Sequence, residues 1–233
     1  MAKKQFFAVV DTETTINNTV ADFAICIVDR KGIIHNQIAV LVAGHYGVHE
    51  LFHDVNSNAE IWTLKGLAKR HEIYKEALSA GSRMVASVPA INRWIDKAIQ
   101  KYDPILTAYN LPFDLDKAKN TGIDLSGFSD RFCLWGAALG NITNTKKYRQ
   151  FILKYHLFNS RTPFGNLTFS TNAENVSHYV TGNDLIEPHL ALEDITEHEI
   201  PILMAVLKKR KWRENITSYN WRGHQMKDHF SAN

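Results

Sequence analysis

An α/β fold is predicted, built on a mixed sheet with one antiparallel edge. Three observations predict it. Apolar runs at 5–10, 21–29 and 33–42 have the length and composition of strands. Segments at 59–79, 87–101, 112–120, 173–181 and 190–210 space their apolar residues as helices do. Short strands at 104–110 and 129–135 are interleaved with those helices, the alternation expected when helices cover a partly parallel sheet.

Each element has a local cause. Arg30-Lys31-Gly32 is a short turn, so 21–29 and 33–42 form a hairpin. Ile91, Ile95 and Ala98–Ile99 share a helix face behind Pro89, a first-turn residue. Pro112 starts the next helix and Gly122 ends it. Residues 141–171 are polar, basic and aromatic, and contain Pro163 and Gly165. They are expected to be a loop with fragments of helix. No linker divides the chain. A single domain spanning 1–233 is expected, with its core at about 5–207 and a basic helical tail at 208–233.

Composition bounds the function classes. The 233 residues are 45% apolar and 22% charged, an ordinary globular mixture able to bury a large core. A net charge of +3 permits a polyanionic partner without arguing for one. Cys26 and Cys133 lack metal-ligand spacing and are expected to be reduced, buried thiols. No signal-peptide pattern and no apolar run of membrane-spanning length is present, so a cytoplasmic location without membrane association is expected.

The first strand runs into Asp11-Thr12-Glu13. Residues two apart in a strand point to one face, so these carboxylates repel unless a cation lies between them. A solvated strand end is one reading; a hard divalent cation is the other. A metal site needs further acids. Asp114 follows a short strand at the start of a helix, where the helix dipole alone also favours an acid. His189 precedes Asp194 by five residues, about 140° apart on a regular helix, so both reach one site only if His189 lies at the helix start.

Taken together, Asp11-Thr12-Glu13, Asn110 through Phe113-Asp114, and the frame His189-x-Ala-Leu-x-Asp194 resemble the DEDDh family of 3′→5′ exonucleases, in order and over residues 5 to about 207. The resemblance implies a ribonuclease H-like fold, a five-stranded mixed sheet flanked by helices. It implies that Asp11, Glu13, Asp114 and Asp194 hold two Mg2+ or Mn2+ ions and that His189 is the general base. Ile16-Asn17-Asn18 stands where family members often place Gly, which implies a different loop. Asp22 stands where many relatives carry Glu.

Two metals stabilise the entering and leaving oxygens of phosphodiester hydrolysis, and an imidazole takes the water's proton at neutral pH. The expected substrate is the 3′ end of single-stranded DNA or RNA, DNA slightly favoured, with nucleoside 5′-monophosphates released. A homodimer or a polymerase partner is compatible with the sequence. Thr12, Thr14, Asn110, Leu111 and Phe113 flank the first two motifs and are the candidate contacts with the terminal nucleotide. Lys146 to Arg161 interleaves cations and aromatic rings, either as a path for the strand or as a helix with its rings in the core. Three rival classes stand beside this reading: a ribonuclease H-type endonuclease or resolvase, which lacks the His-to-Asp pair; a non-catalytic nucleic-acid-binding relative; and a zinc metalloprotease from His49-Glu50-Leu51-Phe52-His53, which requires a helix and a third ligand such as Glu72.

Overall fold

A computed structural model describes residues 4–57, 59–159 and 167–226. Strand β1 (Phe6–Thr14) pairs antiparallel with β2 (Val20–Asp29), and β2 pairs antiparallel with β3 (Ile34–Val42). Helix α1 (Leu64–Ala80) leads to β4 (Met84–Ala86), parallel to β3. Helix α2 (Val88–Tyr102) leads to β5 (Ile105–Ala108), parallel to β1, and α3 (Leu111–Thr121) to β6 (Arg131–Cys133), parallel to β5. The sheet order is β4-β3-β2-β1-β5-β6.

The α/β class and the β2–β3 hairpin follow the sequence pattern, with two corrections. The sheet has six strands, not five. The addition, β4, is three residues long and exposes Met84 and Val85, so it carries no buried alternation to read. The antiparallel strand is β2, and it lies inside the sheet, not at an edge. Every residue of β2 is buried, as expected for a strand covered on both faces.

The pleat of β1 sorts its residues between two cores. Ala8 and Val10 face Ile91 and Ile95 of α2 and Leu111 and Ala118 of α3. Phe7 and Val9 face the opposite layer: α4 (Leu134–Ala138), α5 (Lys146–Tyr155), α6 (Ala173–Thr181) and a long C-terminal helix. That helix comprises α7 (Ala191–Asp194), a π-helical turn (Ile195–Glu199) and α8 (Ile200–Leu207). Each large apolar side chain buried in these layers stabilises the fold by roughly 1.5–3 kcal/mol.

Within 141–171 the structure is more regular than expected. A π-helical turn (Leu139–Thr143) precedes α5, and β7 (Phe158–Asn159) pairs with β8 (Thr168–Phe169). Tyr148 and Ile152 are buried and Phe151 packs beside them, so these positions serve the core, while Tyr155 is exposed. Ser160, Arg161, Pro163 and Gly165 lie outside the described residues. The expected helical tail is mostly turns as far as it is described: from 208 to 226 only α9 (Trp221–His224) is helical, while Trp212 and His224 are buried. Residues 227–233 lie outside the described residues. Both cysteines are free, Cys26 buried and Cys133, against expectation, only half-buried. Among the described residues no helix is long and apolar enough to cross a membrane.

A short 3-10 turn (Glu60–Trp62) sits immediately ahead of α1, whose first turn is capped by Thr63 Oγ1 accepting from Gly66 N. Gly66 is required by close approach: a methyl there would overlap the carbonyl oxygens of Glu60 and Ile61. Gly66→Ala is therefore expected to destabilise by about 1–3 kcal/mol. Calorimetry would show this as a melting-temperature drop of roughly 2–10 °C; an unchanged melting temperature would refute the packing described.

Candidate active site

The site begins at the end of β1. Asp11 and Glu13 continue the face of Phe7 and Val9, so the strand that fills the core also delivers two acids beyond its edge. The β1–β2 register shifts between Glu13 and Thr14, ending the regular ladder there. Asp11 Oδ2 is shut off from solvent and accepts no hydrogen bond.

The second motif is delivered by the turn between β5 and α3. Asn110 adopts the left-handed conformation (φ 75°) and its carbonyl accepts from Phe113 N at 2.9 Å, which puts Asp114 in the first turn of α3. Asp114 is buried and accepts a 2.9 Å hydrogen bond from Thr12 Oγ1. The Thr12 hydroxyl thus serves Asp114. Leu111, a candidate substrate contact, is instead buried in the core against α2 and β1, because its position at the helix start turns it inward. Thr12, Thr14, Asn110 and Phe113 do line the cleft, and Phe113 is 42% exposed with Lys117 Nζ 4.9 Å above its ring.

The third motif needs a break in regular geometry. His189 lies two residues before α7, in the left-handed region (φ 54°). Leu190 N donates to Asp194 Oδ2 at 3.1 Å, tying the acid to its own helix start. Asp22, fully buried and opposite Glu13 in the sheet, accepts from Ala191 N at 3.0 Å and from Tyr74 O–H at 3.2 Å. Arg83 Nε lies 3.5 Å from Asp22, and the same guanidinium pairs with Glu193. Asp22 therefore anchors the segment carrying His189 and Asp194. Burial raises its pKa to about 6 against the lowering pull of Arg83. The ring of Trp62 packs on that of His189 with centroids 4.3 Å apart, and Arg70 lies 5.1 Å from the Trp62 ring.

All five sequence-identified residues line one cleft of about 430 Å3. Within it, ligand atoms of Glu13, His189 and Asp194 all lie within 4.8 Å of one another, and His189 Nδ1 is 3.7 Å from Glu13 Oε1. Two acids that the motifs do not contain line the cleft as well: Glu199, which closes the π-helical turn, and Glu187. Among the described residues no Lys or Arg forms an ion pair with Asp11, Asp114, Asp194 or Glu199.

The electrostatics follow from that crowding. Burial, then the charges of Asp114, Glu199, Asp194 and Glu13, push the Asp11 pKa well up. Burial raises Asp114 to about 8 despite the Thr12 hydrogen bond. Asp194 and Glu199 are pushed up first by burial and then by neighbouring carboxylates. Burial raises Glu187 to about 7, opposed by His189. For His189 itself burial disfavours the charged ring, but Glu13 and Glu187 outweigh it and the pKa is raised. Oxygen donors, one imidazole and buried oxygens without any partner (Asp11 Oδ2, Asp194 Oδ1, Glu199 Oε2) suit a divalent cation.

The rival zinc motif lacks its geometry. Residues 45–53 form turns and isolated bridges, not a helix. His53 Nδ1 lies 3.2 Å from its neighbour Leu51 O, and Glu72 is exposed beside Lys75. The sequence matches no family model and no curated protein.

The crowded acids make the metal-free chain sensitive to pH. An acid with a raised folded-state pKa binds its proton more tightly when folded. Its contribution favours the fold below its unfolded value and is lost as pH climbs through the folded value. With Asp114 at about 8, the melting temperature of chelator-treated protein is expected to fall between pH 5 and pH 8, and Mn2+ to raise it more at pH 8 than at pH 5. A flat profile, or equal gains at both pH values, would contradict the crowding.

Proposed function

We propose that the chain is a metal-dependent 3′→5′ exonuclease with a ribonuclease H-like core, acting on single-stranded nucleic acid and releasing nucleoside 5′-monophosphates. One observation carries the reading. Asp11, Glu13, Asp114, His189 and Asp194, drawn from three distant stretches in the order of the family they resemble, line a single cleft. DNA is slightly favoured as substrate, and an exoribonuclease is the second choice within the same chemistry. The presence of all five groups disfavours a non-catalytic relative.

Asp11, Glu13, Asp114 and Asp194 are the groups that would hold Mg2+ or Mn2+. Such ions, when bound, activate water and stabilise charge on the phosphate oxygens. The remaining work falls to the chain. Thr12 and the Leu190 amide fix the two acids that come from helices. Trp62 limits the tilt of the His189 ring, and the neighbouring Glu13 and Glu187 favour a proton arriving on it, as a general base requires. Phe113 offers an exposed ring face for a base, with Lys117 beside it for phosphate. A cleft of about 430 Å3 has the size of a site for one small ligand and suits a chain end better than a long duplex.

One observation favours a second reading. The tightest trio is Glu13, His189 and Asp194, an O2N donor set that suits a single transition ion. His189 would then be a ligand and not a base. Pulsed EPR of Mn2+-loaded protein separates the two: 14N coupling that disappears in His189→Ala supports the ligand role, and its absence supports the base.

The activity test uses 5′-labelled single strands of DNA and RNA with Mg2+, Mn2+ or chelator. A ladder shortening from the 3′ end, abolished by chelation, is expected. Asp11→Asn and Asp194→Asn are expected to lose most turnover while keeping the wild-type circular dichroism spectrum. His189→Ala is expected to lose about 10²–10⁴-fold. Internal cleavage, or near-wild-type turnover in either Asn variant, would refute the reading.

A further inference from the structure

Among the described residues, Glu199 is a buried acid in the cleft held directly by the second-motif turn. It comes from the same helix as Asp194, five residues on. On a regular α-helix that spacing turns the two side chains about 140° apart. Here residues 195–199 form a π-helical turn, whose i→i+5 bonding winds less per residue and brings residues five apart closer to one face than an α-helix does. Glu199 consequently reaches the cleft that Asp194 lines.

The two carboxylate oxygens of Glu199 have different surroundings. Oε1 accepts from Tyr109 N at 2.9 Å, the residue between β5 and Asn110. This bond ties the helix bearing Asp194 to the turn that delivers Asp114. The Tyr109 side chain is held separately, its O–H donating to Thr171 O at 2.5 Å. Oε2 is sealed from solvent and has no donor, although Glu199 is only 3% exposed. Asp194 Oδ1, 6% exposed overall, is equally without a partner. A buried carboxylate oxygen left unpaired is costly, and a lone backbone amide on the other oxygen does not remove that cost.

We propose that Glu199 is a fifth carboxylate of the metal centre: its Oε1 locks the Tyr109 turn, and its Oε2 presents charge to the cation held by the neighbouring acids. The inference rests on the metal-dependent reading above. It adds a residue that lies outside the three motifs and that reaches the site only because the helix is π-helical at that point.

The test is Mn2+ binding to chelator-treated protein by calorimetry, with melting temperature recorded alongside. Glu199→Gln keeps a carbonyl oxygen for the Tyr109 amide and replaces the charged oxygen with a donor. Its metal-free melting temperature is expected to equal or exceed that of wild type, while its Mn2+ affinity falls about tenfold or more. Glu199→Ala is expected to lose affinity to a similar extent and to melt lower, because the Tyr109 bond is also removed. Unchanged Mn2+ affinity in Glu199→Gln would overturn the role of Glu199 while leaving the four-acid site standing. A metal-free Glu199→Gln protein that melts well below wild type, with wild-type affinity, would mean a purely structural residue and overturn it too. Absence of Mn2+ binding in wild type would overturn the metal reading itself.

Discussion

Strand β1 is paired with β2 from Phe6 to Thr14 and with β5 over Phe7–Val9, and the ladder with β2 fixes where Asp11 and Glu13 point. A strand held in a regular ladder sends side chains two residues apart to the same face. The pleat that sends Phe7 and Val9 into the core therefore sends both carboxylates to the same side. The strand geometry does not separate them, so the repulsion is relieved by protonation, which the raised pKa of Asp11 favours, or by a bound cation. Arg83 is committed to Asp22 and Glu193, Arg70 to the Phe52 carbonyl and the Trp62 ring, and Lys117, which lines the cleft, to Asp116 and Asn18.

The other elements are arranged around that constraint. Asp22 of β2 faces Glu13 across the ladder and holds the amide of Ala191, so the third motif is registered against the first strand through β2. Thr12, on the opposite face of β1 from the acids, holds Asp114 and so registers the second motif against the same strand. Glu199 then joins the second motif to the third through the Tyr109 amide. Three segments distant in sequence are in this way tied pairwise by single hydrogen bonds between buried groups. Such bonds are strong where water is excluded and leave expensive orphans when one partner is removed.

Much of this was legible in the sequence. The alternation of apolar runs identified the sheet, the hairpin and the main helices, because buried strands and amphipathic helices differ in period. That the five motif residues share one cleft was foreshadowed by acids placed at element ends, with His189 five residues before Asp194. Asp22, Glu187 and Glu199 were not. Asp22 sits in a fully buried strand and reveals its role only when its partners Ala191, Tyr74 and Arg83 are brought to it from later in the chain. Glu199 was hidden by geometry: a helical wheel of 100° per residue turns it away from Asp194, and the π-helical turn that reverses this has no sequence signature. Edge strand β4 escaped because three residues, two of them exposed, carry no periodicity, and α5 because its aromatic core positions are interleaved with cations.

The most direct measurement of the central claim is the anomalous scattering of Mn2+ in crystals of the protein grown with that ion. Two peaks about 3.5–4 Å apart, within bonding distance of carboxylate oxygens from Asp11, Glu13, Asp114 and Asp194, are the expected result. Absence of any peak in the cleft at saturating Mn2+, with the acids far from one another, would contradict the claim that these carboxylates converge to hold divalent ions.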